Sequence, residues 1–174
     1  MEHKINDAQR LAKLVEKIHF TMLTTVNRED GSLRSRPMTL QEREFDGDFW
    51  FFAGKHMAAV EDLRANSSVN LAFADPAHSR YVSVVGMGEV VDDKAKAKEL
   101  WNPALKAWFP EGLDDPALAL IRVQVESADF WETPSSKVVQ LAGFAKAVLT
   151  GKRAEGIGEH GHVSAPGGLS GSVN

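Results

Sequence analysis

Leu33-Arg34-Ser35-Arg36-Pro37-Met38-Thr39 is the segment whose residue types and spacing most readily do chemistry. In an extended strand, side chains two apart share a face, so Arg34 and Arg36 point the same way. Two guanidinium forks on one face match the oxygens of a phosphate, which makes this an anion clamp. The same pair also serves as a charged strand edge that discourages sheet-to-sheet association. Both readings stand on the residues alone. Pro37 lacks an N–H and so places the strand at an edge, a bulge or a bend.

Other spacings carry less. Gly156-x-Gly158-x-x-Gly161 spells a dinucleotide fingerprint, but no predicted strand precedes it and no helix follows, so the mechanism behind that motif is missing. His160-x-His162, near Glu155 and Glu159, has the composition of a chelate, yet a ligand set needs a fixed geometry and outer partners. A solvated tail accounts for it, and no metal site is expected. No serine sits in a Gly-x-Ser-x-Gly elbow. His19, His56 and His78 are scattered, and Asp92/Asp93 and Asp114/Asp115 read as cap and turn residues. No catalytic acid or base emerges.

The 174 residues are 43% hydrophobic and 25% charged, the profile of a globular domain with a sizeable core. Zero cysteines exclude disulfides, thiol nucleophiles and Cys-ligated metals. A net charge of -4 and a pI near 5.9 argue against nucleic-acid binding, which needs a concentrated basic surface. No apolar run is long enough to span a membrane. No apolar signal follows the N-terminus, so a cytoplasmic location is expected.

These residues need elements to position them. Ala8, Leu11, Ala12, Val15 and Ile18 recur at helical spacing over Asn6 to Ile18, so that helix should lie on a sheet. Strands are predicted at Phe20 to Val26, Leu33 to Leu40, Asp48 to Ala53, Val69 to Ala74, Tyr81 to Val91, Leu118 to Glu126 and Ala128 to Glu132. Asp48-Phe49-Trp50-Phe51-Phe52-Ala53 is aromatic on both faces, as in a barrel wall that also meets a helix or another subunit. Gly86 and Gly88 mark a bulge or a close approach. Short helices are predicted from Met57 to Asn66, with Met57, Val60 and Leu63 inward, from Asp92 or Asp93 to Trp101, and from Pro103 to Pro110. A longer one is predicted from Lys137 to Thr150. Residues 1–151 then form one domain, and 152–174 a Gly-rich tail too poor in apolar residues to order. The expected fold is mainly β with peripheral α: a six-stranded antiparallel barrel decorated by helices.

In this order, several segments resemble the general stress protein branch of the pyridoxamine 5'-phosphate oxidase-like flavoproteins. They are Ser35-Arg36-Pro37-Met38, Phe49-Trp50-Phe51-Phe52-Ala53, Leu63-Arg64-Ala65-Asn66, Val69-Asn70-Leu71 and Tyr81-Val82-Ser83-Val84-Val85-Gly86. Leu100-Trp101-Asn102-Pro103, Trp108-Phe109-Pro110-Glu111-Gly112, Asp115-Pro116 and Phe130-Trp131 follow. The resemblance implies a split β-barrel homodimer with flavin mononucleotide (FMN) in clefts at the interface. One face of the aromatic strand would fill the barrel and the other meet the partner.

Residue by residue, the resemblance puts Arg36 at the flavin phosphate, and the clamp reading adds Arg34 as a second cofactor-binding arginine. It puts Pro37 and Met38 along the ring system, Phe52 and Ala53 at the end of a flavin-contacting strand, and Tyr81 at a further flavin-facing position. Trp131 would close the cleft. The family's phosphate-binding serine and lysine fall at Met57 and Ala59. Losing two charge-assisted hydrogen bonds of roughly 1.5–3 kcal/mol each weakens binding by about two to four decades. Lys55, His56 and the backbone N–H groups of the following helix are the available replacements. A true pyridoxamine phosphate oxidase carries a distal arginine and histidine after its Phe-Trp. Here Glu132-Thr133-Pro134-Ser135-Ser136-Lys137 follows, so that reaction is not expected.

Two functions follow: an FMN-binding stress protein with flavin-borne oxidoreductase chemistry, or a dimeric split-barrel binding module that has lost flavin or holds another metabolite.

Overall fold

The computed structural model describes residues 7–41, 45, 47–133 and 159–164. Its elements are α1 (Asp7–Val15), β1 (Phe20–Val26), β2 (Leu33–Thr39), β3 (Asp48–Gly54), α2 (Ala58–Ala65), β4 (Ser68–Asp75), β5 (Arg80–Val91), α3 (Lys94–Leu100), β6 (Leu118–Glu132) and β7 (Glu159–Ser164). The strands form one antiparallel sheet in the order β2-β1-β4-β5-β6-β3, with β7 pairing the far half of β6 along the same edge as β3. The sheet curls so that its two end strands, β2 and β3, approach each other. The Gln41 N–H donates to the Trp50 carbonyl at 3.3 Å across that gap. The split barrel expected from the sequence is therefore the fold, and β7 is the strand that was not expected.

Period-2 burial decides which face of the curled sheet lines the barrel. Leu23, Leu71, Phe73, Val84, Ile121 and Val123 alternate inward and are buried in one core with Phe49 and Phe51. Leu11, Leu14 and Val15 of α1 pack into the same core, as the helical spacing required. Asp93 caps α3 by accepting the Lys96 N–H at 2.8 Å.

The aromatic strand β3 has two buried faces, and the second is covered from within the chain. Phe52 packs with Leu100, Phe109 and Leu120 and meets Trp101 edge-on at 5.7 Å. The partner subunit expected on this face is displaced by α3 and the short 3-10 turns that follow it. Gly86 lies at a bulge in the β5–β6 pairing, where a Cβ would fall 2.3 Å from the Gln124 carbonyl oxygen. That bulge also joins the two last predicted strands into one, β6. Gly88 makes room for Leu63 of α2, 2.6 Å from where a Cβ would lie.

The tail expectation is corrected over Glu159–Ser164. That segment pairs with β6, placing His162 opposite Asp129, Gly161 opposite Phe130 and His160 opposite Trp131. Val163 is buried in the core. Gly161 has no side chain, and Phe130 fills the space a Cβ would need, 2.1 Å from its ring. Arg10 covers the same ring from α1, with Cζ 4.4 Å from the centroid. One valine and one glycine thus suffice, because Phe130 supplies the apolar contact. The predicted Lys137–Thr150 helix lies outside the described residues. Among those described, no helix is long and apolar enough to cross a membrane.

Candidate cofactor site at the barrel split

Pro37 sits in β2, an end strand of the sheet, where its missing N–H costs no second ladder bond. Met38 points into the barrel and is buried. Arg36 turns toward the barrel mouth beneath α2. Its Nη1 donates to Thr25 Oγ1 at 2.8 Å, and its Nη2 lies 3.5 Å from Asp62 Oδ2. The Thr25 hydroxyl donates to the same Asp62 oxygen at 2.8 Å, and the Arg28 N–H donates to Asp62 Oδ1 at 3.2 Å. Asp62 is 1% exposed. This network holds Arg36 in place while leaving its side chain 18% exposed.

Thr25 and Asp62 were not singled out from the sequence. A signal was present: Asp62 lies three residues after Ala59 and one before Leu63, on the buried face of α2. A carboxylate there must be paired.

Arg34 does not join Arg36 around one anion. Its Nε donates to Ser32 Oγ at 3.1 Å and its Nη2 pairs with Asp30 at 3.4 Å, in the β1–β2 hairpin. Hydrogen bonds from the Ser32 side chain and backbone, and then the nearby Arg34 charge, hold the Asp30 carboxyl below its ordinary value. Each arginine already has its own carboxylate, so the clamp read from their shared face is not assembled in this conformation.

At the other lip, Phe52 is directed into the α3 cluster and Ala53 into the barrel, so neither side chain faces the split. Lys55 and His56 follow and are exposed. Their turn is fixed by the Lys55 N–H donating to the Ala117 carbonyl at 2.7 Å and the Met57 N–H to the Gly54 carbonyl at 2.9 Å. Met57 is the N-cap of α2, with extended backbone and no side-chain cap bond. It is 39% exposed, which corrects its expected inward place. The first turn of α2 therefore offers backbone donors next to two exposed basic side chains, an arrangement that suits an anion. Ala59 is fully buried, so a polar side chain at that position would face the core. Lys55 also lines a groove of about 670 Å³ with Arg64, Lys94, Asp92 and Asp115.

Tyr81 and Trp131 lie elsewhere. They are register partners on β5 and β6, both 45% exposed on the outer face of the sheet. The His160 ring rests on Trp131, with centroids 5.2 Å apart and a 30° tilt. Beside them, His162 Nδ1 bonds Asp129 Oδ1 and His162 Nε2 bonds Ser164 Oγ, each at 2.8 Å. Phe20, Met22, Val85 and Met87 extend this outer face as exposed apolar residues. Among the described residues, no three histidine or acidic side chains are gathered for a metal ion.

A curled antiparallel sheet of this topology, split between β2 and β3, is shared with known proteins. A Jannaschia sp. CCS1 protein assigned as general stress protein 26 superposes with a TM-score of 0.69 at 24% identity, over 90% of this chain and 96% of that one. The general stress FMN/FAD binding protein of Xanthomonas citri is 32% identical, with a TM-score of 0.65 over 76% of this chain and 92% of that one. Protein bli-3 of Neurospora crassa is 31% identical, spanning 88% of this chain and 77% of its own length. Residues 6–155 match the family described as pyridoxamine 5'-phosphate oxidase like. With most of its length matched and the split barrel in place, the chain belongs to the pyridoxamine 5'-phosphate oxidase-like family.

Proposed function

We propose that this protein binds FMN at the barrel split as a homodimer and acts as a flavin-dependent oxidoreductase. The observation that carries the reading is the turn from Lys55 to Met57. It sets two exposed basic side chains against the uncapped N-terminus of α2, one turn from the Asp62 that anchors Arg36. Those donors suit a phosphate, and the Xanthomonas citri relative is named for binding FMN or FAD.

Arg36, Lys55, His56 and the first turn of α2 would hold the phosphate. Pro37 and the backbone at Met38 would line the ring, with Arg34 at the outer rim and Phe52 and Ala53 shaping the lip from behind. The bound flavin would supply the hydride or electron transfer. The chain contributes binding, orientation and exclusion of water.

The homodimer rests on the exposed apolar side chains of Phe20, Met22, Tyr81, Val85 and Met87 on the outer face of the sheet, the kind of surface a second subunit covers. A second reading, the same dimer without flavin, is favoured by Met57 and by buried Ala59, which supply no polar side chain to a phosphate. A visible spectrum of the protein, taken after adding excess FMN and desalting, separates the two. Retained flavin bands support the first reading, and a colourless protein overturns it.

A further inference from the structure

On the flavin reading above, we infer that His160 is a ligand-contact residue of the cofactor cleft, supplied by the partner subunit through its β7 strand. Tyr81, Trp131 and His160 form a continuous row across β5, β6 and β7, each the register partner of the next. All three side chains are exposed, and in one row they offer a surface to a planar heteroaromatic ring. Trp131 supplies stacking area, and the imidazole at its side supplies a hydrogen-bonding edge.

The row is fixed in place. His162 is bonded through both ring nitrogens, to Asp129 on β6 and to Ser164 on its own strand. Gly161 lets Phe130 close beneath β7, and Val163 anchors the strand in the core. His162, Asp129 and Gly161 are therefore positioning residues, and His160 is the one they present.

Within one subunit this row cannot meet the Lys55 turn. Ala119 and Trp131 stand twelve residues apart on the same strand, roughly 40 Å of chain at about 3.3 Å per residue, with the bulge between them. From the other side, Pro37 reaches Asp129 only through Met22, Ala72 and Ser83, about 19 Å of strand spacings. Outward side chains on a curled sheet also splay apart. A ligand touching both ends must take the row from a second chain.

The test uses the full-length protein and FMN. Wild type, His160→Leu, His160→Phe and Lys55→Glu are titrated with FMN by fluorescence. His160→Phe keeps the packing on Trp131 and removes only the polar edge, so it isolates the contact from any loosening of β7. Both His160 variants are expected to bind about tenfold more weakly, with shifted visible flavin bands. Lys55→Glu and His160→Leu chains are then mixed, with exchange followed by native mass spectrometry. In a mixed dimer, contribution by the partner leaves one of two sites with both residues intact, and tight binding returns to that site. Contribution within one chain leaves every site defective. Flavin bound by wild type with unchanged affinity and spectrum in both His160 variants overturns the inference while the flavin reading stands. Exchange without recovery overturns the partner's contribution. A wild type that binds no FMN removes the reading and the inference together.

Discussion

Arg36 Nη2 lies 3.5 Å from Asp62 Oδ2, and this ion pair ties the end strand β2 to helix α2 across the barrel mouth. Thr25 bonds both partners, so the carboxylate is satisfied without solvent. Asp62→Ala is expected to destabilise the fold by about 3 kcal/mol, the low end of the range for breaking a buried pair, because Arg36 keeps some exposure. Urea unfolding measures it. A loss within about 0.5 kcal/mol of zero, the range for ordinary surface changes, would show the pair to be structurally idle.

Arg36→Ala and Lys55→Glu should each release FMN from protein that retains it. The expected weakening is about tenfold or more per residue, as for a charge-assisted hydrogen bond. Equilibrium dialysis against FMN gives the ratio, and intact flavin binding in both variants would remove the phosphate end from this turn.

Met22→Glu and Val85→Glu place charges on the exposed outer face. If that face pairs two chains, the variants should sediment as monomers where wild type sediments as a dimer. They should lose flavin in step, because the cleft is then incomplete. Unchanged sedimentation would put the interface elsewhere.

Gly161→Ala drives a Cβ toward the Phe130 ring. Undocking of β7, at a cost of about 1–3 kcal/mol, is expected as faster amide exchange over 159–164 while β1 and β4 stay protected. Equal protection throughout would show that Phe130 yields.

The depressed Asp30 carboxyl stabilises the β1–β2 hairpin at neutral pH. Its folded value lies below the ordinary 3.8, so the contribution is full above that value and is lost as pH falls through the lower folded one. The Ser32 amide shift followed by NMR should titrate below pH 3.8 in wild type and stay flat in Asp30→Asn. A wild-type midpoint at or above 3.8 would contradict the hydrogen-bonding account.

Local chemistry in the sequence was enough for the strands from Phe20 to Glu132, for Pro37 at an edge, for Asp93 as a cap and for the bulge at Gly86. Each depends on φ, on an N–H or on a neighbour a few residues away. The family resemblance implied the split barrel in the same local terms, through short segments read in order. Partners distant in sequence were decided only by the tertiary structure. Arg36 and Arg34 share a strand face, yet each guanidinium goes to the carboxylate the fold brings within reach: Asp62 from α2 in one case, Asp30 from the hairpin in the other. The outer face of β3 is covered by α3, a match of apolar surfaces that periodicity cannot assign to one partner. His160-Gly161-His162 has too little apolar surface to order by itself. It becomes a strand because Phe130, some thirty residues earlier, supplies the contact and Asp129 the hydrogen bond. Burial and pairing energies belong to surfaces that meet in space, and only the folded chain determines which surfaces those are.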